Sequence, residues 1–196
     1  MLKRIILPLF VLTVSAQLII PGKMIFDQEQ ILAHGKEFKF KTAPVDPNDP
    51  FRGKYIDLRF KENTLGVSNY GDWKKGQEIF VVIKENQEGF AIPLRVWIKE
   101  PSNEKHYLSA KIQSVKATKD EYNQLTGTEI RIQYPFERFY MEESKAKAAE
   151  DIYRKSNRDE KSLTYALVNI KKGKASLKDV MIDGVSIKEL VDKDQN

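Results

Sequence analysis

The stretch from Ile79 to Ile98, IFVVIKENQEGFAIPLRVWI, decides the fold class. Its first five residues are apolar without a break, too short a run for a typical helix and rich in β-branched side chains. That pattern predicts a strand buried on both faces. Residues 85–89, ENQEG, form a turn, and Phe90 to Ile98 returns as the second arm of a hairpin. Pro93 cannot donate to a strand ladder, so it predicts an edge position or a bulge.

Working outward, the period of two persists. Tyr107 to Lys116 reads as a strand, and Thr128 to Tyr134 places Ile130, Ile132 and Tyr134 on one face before Pro135 stops it. Upstream, Phe38 and Phe40 alternate with lysines in a strand that ends before Ala43-Pro44. A second strand covers 54–61, and residues 63–76 read as a loop. One amphipathic helix is expected over 142–156, with Ala146, Ala149, Ile152 and Tyr153 as its stripe and Glu142 and Glu143 at its positive end. Residues 163–170 and 175–182 flank the turn KKGK, Asp183-Gly184 turns the chain again, and the last residues form a short helix or frayed tail. About eight strands to one helix predict a mainly β (α+β) domain, an antiparallel barrel or sandwich with one packed helix.

The chain has 196 residues, long enough for one domain with a core of its own. Residues 1–26 hold Lys3, Arg4 and Lys23 and no acid, so residues 27–196 carry 30 basic against 28 acidic side chains. That balance gives no nucleic-acid footprint. The sequence has no cysteine, which removes disulfides, thiolate catalysis, cysteine-based metal sites and a lipidated N-terminal cysteine.

At the N-terminus, Lys3 and Arg4 precede an apolar run from Ile5 to Ile20. Two readings compete. Val14-Ser15-Ala16 fits a signal-peptide cleavage site, giving a secreted or periplasmic chain that starts at Gln17. In the second, the helix continues past Pro21-Gly22 to Phe26 as a transmembrane anchor over 1–26, with Lys23 reaching the interface. Residues 27–35 follow as a polar connector, read as a short helical extension, and 36–196 form the β-rich domain. In both readings, Lys3 and Arg4 stay cytoplasmic and the chain after about residue 27 lies outside.

The segment DPNDPFRGKYIDLRF, Asp46 to Phe60, carries a recognisable motif. It resembles the signature of the GDYXXLXY family at Gly53, Tyr55 and Leu58, with Lys54 in place of the Asp and Phe60 in place of the last Tyr. The approach Pro44-Val45-Asp46-Pro47, the run Phe139-Tyr140-Met141-Glu142 and the hairpin ending Ile182-Asp183-Gly184 are also similar, and together they cover most of 36–185. The family is defined by this motif and a membrane anchor, not by an activity. The resemblance therefore implies a single-pass protein of the cytoplasmic membrane whose C-terminal domain is extracytoplasmic. Lys54 reverses the charge at a named position of the motif, so a cation- or partner-binding role of an acid there does not carry over to this chain.

Parity within the motif strand divides its residues. Ile56, Leu58 and Phe60 share a face and are expected in the core, while Tyr55, Asp57 and Arg59 face away. Arg52 and Gly53 sit at the strand entrance. Arg52 either pins the turn by pairing with Asp46 or Asp49, or joins Asp46, Asp49, Gly53, Tyr55 and Glu142 in a shallow recognition surface. Asp46, Asn48 and Asp49 are hard oxygen ligands, but they lack the later bidentate acid of a calcium loop, and Asx-Pro turn chemistry accounts for them. His34 and His106 have no local ligand partner and read as surface residues. No serine sits in a nucleophile-elbow context, and no phosphate loop or dinucleotide fingerprint is present. No catalytic residue, metal or cofactor is assigned. The expectation is a noncatalytic accessory or interaction module for another membrane protein. A hydrolase using carboxylates near the motif, or a small-ligand or glycan-binding module, is the alternative. An enzyme requires titratable groups converging in one cleft, whereas an interaction module requires an apolar patch with a polar rim.

Overall fold

The computed structural model describes residues 2–44, 55–67, 73–119, 125–159 and 161–194. Chain order begins with α1 (Leu2–His34), β1 (Lys36–Ala43), β2 (Tyr55–Asp57), β3 (Arg59–Phe60) and β4 (Thr64–Val67). It continues with β5 (Glu78–Glu85), β6 (Ala91–Trp97), β7 (Tyr107–Lys119), β8 (Leu125–Gln133) and β9 (Arg138–Tyr140). It ends with α2 (Glu143–Arg158), β10 (Thr164–Lys171), β11 (Lys174–Ile182), β12 (Val185–Ser186) and α3 (Ile187–Asp194).

The domain is mainly antiparallel β, as the alternation predicts. One five-stranded sheet has the order β12-β11-β10-β1-β3, a second has the order β4-β8-β7-β5-β6, and β2 pairs with β9. The second sheet curls into a nearly closed, barrel-like surface. The two sheets touch through bridges at Lys39–Phe90 and Leu108–Gly173, the latter reinforced by Ser109 N–H donating to the Gly173 carbonyl (2.8 Å).

The deciding hairpin forms as read. Ile79, Val81, Val82 and Ile83 of β5 are buried. Both expectations for Pro93 hold: β6 is an edge strand, and the register slips at Val82/Ile83 opposite Pro93–Arg95, leaving Leu94 as the extra residue. Ile130, Ile132 and Tyr134 face the core together. The KKGK turn places Lys172 and Gly173 at φ 46° and 77°, the two positive values that a tight type I′ hairpin requires.

Two elements differ from the sequence reading. Strand 54–61 splits at Leu58 into β2, which pairs with β9, and β3, which pairs with β1. The 63–76 loop contains β4, which pairs with β8. The last residues form the short helix expected as one alternative, α3, and it joins α2 as a packed helix: it buries Ile187 and Val191 and is tied to α2 by Lys145–Asp192 (2.7 Å). In α2, Ala146, Ala149 and Tyr153 are buried as predicted. Asn157 near its end donates to the Ala43 carbonyl (2.8 Å) and accepts from Thr164, whose hydroxyl also accepts from Thr42 (2.7 Å). This buried polar chain fastens the helix to β1 and β10.

The helix α1 runs unbroken through Pro8 and Pro21. Its segment Pro8–His34 is long and apolar enough to cross a membrane, a test that a signal sequence near the N-terminus also passes. Its last two turns are not a loose tether. Gln28 donates to Ser176 (2.7 Å), Lys174 pairs with Asp27 (2.8 Å), Asn169 donates to the Leu32 carbonyl (2.9 Å), and Ile31 is buried. Because Ser176 and Asn169 are register partners on β11 and β10, the helix crosses the strands instead of following them. Gly35 makes the crossing close: a Cβ there would lie 2.5 Å from the Ile31 carbonyl oxygen and 3.1 Å from Asn169 Cβ.

Gly35→Ala is therefore expected to cost about 1–3 kcal/mol, because backbone must shift to admit the methyl. Gly66→Ala, where a Cβ meets nothing within 4 Å, is expected to stay within about 0.5 kcal/mol. Denaturant melts of the full chain in detergent check the pair.

Candidate functional site

The motif surface is built on the β2–β9 pair. Tyr55 lies opposite Tyr140, Ile56 opposite Phe139 and Asp57 opposite Arg138, and Leu58 N–H extends the ladder to the Glu137 carbonyl (2.7 Å). Ile56 and Phe139 share the buried face, so Tyr55, Asp57, Arg138 and Tyr140 emerge on the other. The parity split is as the sequence predicts: Ile56, Leu58 and Phe60 are buried, Tyr55 and Asp57 are half-buried, and Arg59 is exposed.

On the outward face, the Tyr55 and Tyr140 rings sit 5.6 Å apart, and the Arg138 guanidinium lies 4.7 Å from the Tyr55 centroid. Tyr140 is 64% exposed, unusual for so large a ring held between neighbours. Arg59 approaches Asp57 at 3.7 Å on the same side. Beside them, Gln133 donates to Glu137 (3.3 Å) at the wall of a cavity of about 490 Å³ that Arg138 and Tyr140 also line. Partial burial pushes the Glu137 carboxyl above its ordinary value, and the negative charge of Asp57 adds to this, while the Gln133 hydrogen bond, Arg59 and Arg138 oppose it.

Of the residues singled out from the sequence, Asp46, Asp49, Arg52 and Gly53 lie outside the described residues. Tyr55 lies on the surface just described. Glu142 stands two residues beyond its partner Tyr140, at the start of α2, exposed. Its main-chain carbonyl accepts from Lys145 and Ala146 N–H (3.0 and 2.9 Å), and its side chain makes no cap bond. Sequence reasoning missed Arg138 and Tyr140, although Tyr140 was in view as part of a signature. A three-residue strand leaves too short an alternation to signal its pairing. His106 is half-buried against the Phe38 ring (5.6 Å) instead of free on the surface, and burial holds its pKa down.

Chemically, the motif surface offers stacking and charge, with two carboxyls facing two guanidiniums. No group of three or more His, Cys, Asp or Glu side chains that could hold a metal occurs among the described residues. The arrangement suits recognition of a partner's planar or charged groups.

A second concave surface lies elsewhere. The edge strands β4 and β6 of the curled sheet both line a cavity of about 980 Å³, with Leu65 and Val67 on one side, Val96 and Trp97 on the other, and Trp73 beside them. Leu94, Trp97 and Ile98 expose 50%, 42% and 53% of their surface there, ringed by Arg95, Lys99 and Glu100. This is an apolar patch with a polar rim.

A family model described as GDYXXLXY protein matches residues 17–180. No curated protein and no solved structure matches the chain.

The raised Glu137 carboxyl gives a pH prediction. The folded state holds this proton more tightly than the unfolded chain, so stability falls as pH rises from the ordinary carboxyl range through the raised value. Glu137→Gln, which keeps an acceptor for Gln133, is expected to remove that fall. Melting curves of the parent and variant between about pH 4 and pH 7 check it.

Proposed function

The chain belongs to the GDYXXLXY family, and from that premise we propose that it is a membrane-anchored extracytoplasmic accessory protein that recognises another membrane protein through its motif surface. The observation that carries the recognition role is the exposed Tyr55–Tyr140–Arg138 cluster on the face that the core does not use. Two tyrosine rings and an arginine are the side-chain types that dominate binding energy in protein interfaces. Arg52, Gly53, Asp46, Asp49 and Glu142 complete the surface in this proposal.

The anchoring role is supported by α1. Leu12, Leu18, Ile19, Ile20, Met24 and Phe26 are among its bare apolar side chains, each more than 60% exposed. A helix apolar all round and covered by nothing in its own fold is stable in hydrocarbon, not in water. The docking of residues 27–35 on β10 and β11 would then hold the domain at a fixed orientation close to the bilayer. Lys3 and Arg4 set the cytoplasmic end. Anchoring raises the effective concentration for a neighbour in the same membrane, so a modest surface suffices.

The test is made on the anchored protein. Membranes washed with alkaline carbonate should retain the chain. Arg52→Ala with Tyr55→Ala should leave the melting temperature of the parent while changing the set of crosslinked membrane proteins. Soluble protein starting at Gln17 contradicts the anchor. A collapsed fold, or an unchanged partner set, returns the motif to a pinned turn and strand.

A further inference from the structure

We infer that the β10–β11 hairpin is a lipid-headgroup contact: residues 171–178 lie in the headgroup layer of the bilayer, and Lys171 and Lys172 at the tip bind the phosphates of anionic phospholipids. The contact rests on the membrane anchor proposed above and gives the domain a defined membrane-facing edge.

Depth is set by α1. From Ile5 to Phe26 the helix is about 33 Å long, which fills a hydrocarbon core of about 30 Å. Met24, Ile25 and Phe26 are bare. Among the described residues, contact with the domain begins at Asp27, which pairs with Lys174 (2.8 Å), and at Gln28, which donates to Ser176 (2.7 Å). One turn later, the Leu32 carbonyl accepts from Asn169 on β10 (2.9 Å). The four residues between Leu32 and Gln28 descend about 6 Å, a little more than the spacing of about 4.8 Å between neighbouring strands. The helix therefore leaves the sheet over β11, and β11 is the strand of this sheet nearest the bilayer. Gln28 stands about 3 Å of helical rise beyond Phe26, inside a headgroup layer roughly 5–8 Å deep.

The side chains at that depth suit phosphate. Residues 171–178, KKGKASLK, hold four lysines and no acid. Lys174 and Lys178 are engaged by Asp27 and Glu37 (2.8 and 2.7 Å), whereas none of the ion pairs among the described residues involves Lys171 or Lys172. Lys172 is exposed at φ 46°, a turn position where Asn, Asp or Gly is the usual residue. A lysine there keeps a cation at the tip against the local backbone preference. The tip is also held firmly from behind. Ser109 N–H donates to the Gly173 carbonyl (2.8 Å), and the Tyr107 ring packs so close that a Cβ on Gly173 would lie 3.1 Å from it. Glu100 and Glu104 flank Lys172 in the neighbouring loop, but Glu100 accepts from the Tyr107 hydroxyl (2.6 Å) and Glu104 is followed by Lys105.

The open edge of β11 fits the same layer. β12 covers it only at Met181 and Ile182, so among the described residues no strand pairs with that edge over 174–179. Bare main-chain donors cannot enter hydrocarbon, but headgroup phosphates and the water among them accept from them. Lysines on an edge discourage a second copy from pairing there, and the same lysines attract anionic lipid. None of these residues lines the motif-surface cavity, so lipid contact and partner recognition use separate surfaces.

The full chain is placed in nanodiscs of equal phosphatidylcholine and phosphatidylglycerol, with a photoreactive diazirine on the headgroup of one lipid or the other, and adducts are mapped by mass spectrometry. Phosphatidylglycerol adducts are expected in residues 171–178 and not at Tyr55, Arg138 or Tyr140, with yields about fivefold above those from phosphatidylcholine. Lys171→Gln with Lys172→Asn removes two charges and suits the turn, so it is expected to keep the melting temperature and to lose that preference. Absence of adducts from 171–178 in the parent overturns the inference and needs no variant. Equal yields from the two lipids mean packing against headgroups without charge recognition and also overturn it. So does a variant that keeps the preference, or a dimer that shields the hairpin from both lipids. An alkaline carbonate wash of the membranes separates this contact from the anchor: release of the chain removes both, whereas a retained chain without hairpin adducts removes the contact alone.

Discussion

Four aromatic rings hold this structure together. Phe40 from β1, Phe60 from β3, and Tyr134 and Phe136 from the turn after β8 contact one another in every pairing, with centroids between 4.9 and 5.8 Å. Five of the six pairs are edge-to-face and one is stacked, the arrangements that ring quadrupoles favour. The cluster ties the sheet that contains β1 and β3 to the end of β8 in the other. Its one polar atom is satisfied, since the Tyr134 hydroxyl donates to the Glu62 carbonyl (2.8 Å). Burial pushes the ionisation of Tyr134 well above its ordinary range, so this ring stays neutral at any physiological pH.

That cluster explains how one short motif is divided between two faces. Leu58 and Phe60 are committed to the interior, and a replacement of the final motif aromatic must remain large and apolar; Phe60 meets that condition. Ile56 joins them because residues of equal parity share a face even where the strand is interrupted at Leu58. The odd-numbered residues are thereby forced outward, and Tyr55 is delivered to a surface shared with Arg138 and Tyr140. The fold requires the inward half, and the core makes no use of the outward half.

What the sequence disclosed, and what it withheld, follows from the range of the interactions involved. The β5–β6 hairpin, the Pro93 irregularity and the face shared by Ile130, Ile132 and Tyr134 are local patterns, and they are read directly from spacing. The β4 strand is four residues long and contains Gly66, and it exists because β8 offers it a ladder. The β2–β9 pair joins Tyr55 to Tyr140 across most of the domain, and no local signal reports it. The docking of α1 is the clearest case: Gln28 meets Ser176 across 148 positions, so a polar stretch that reads as a connector becomes part of the domain. The candidate site is half visible for the same reason, with Tyr55 apparent from parity and Arg138 and Tyr140 arriving through a long-range pair.

The central claim is that the motif aromatic works as part of a clamp between sheets, and a double-mutant cycle measures this most directly. Phe60 and Phe136, 5.3 Å apart and brought together from distant parts of the chain, would each be replaced by Leu, singly and together, in the full chain in detergent. Unfolding free energies would be taken from denaturant melts. The account predicts a coupling of about 0.5–1.5 kcal/mol beyond the loss of apolar area. Strictly additive losses would mean that the rings are independent packing residues and that the motif does not clamp the sheets together.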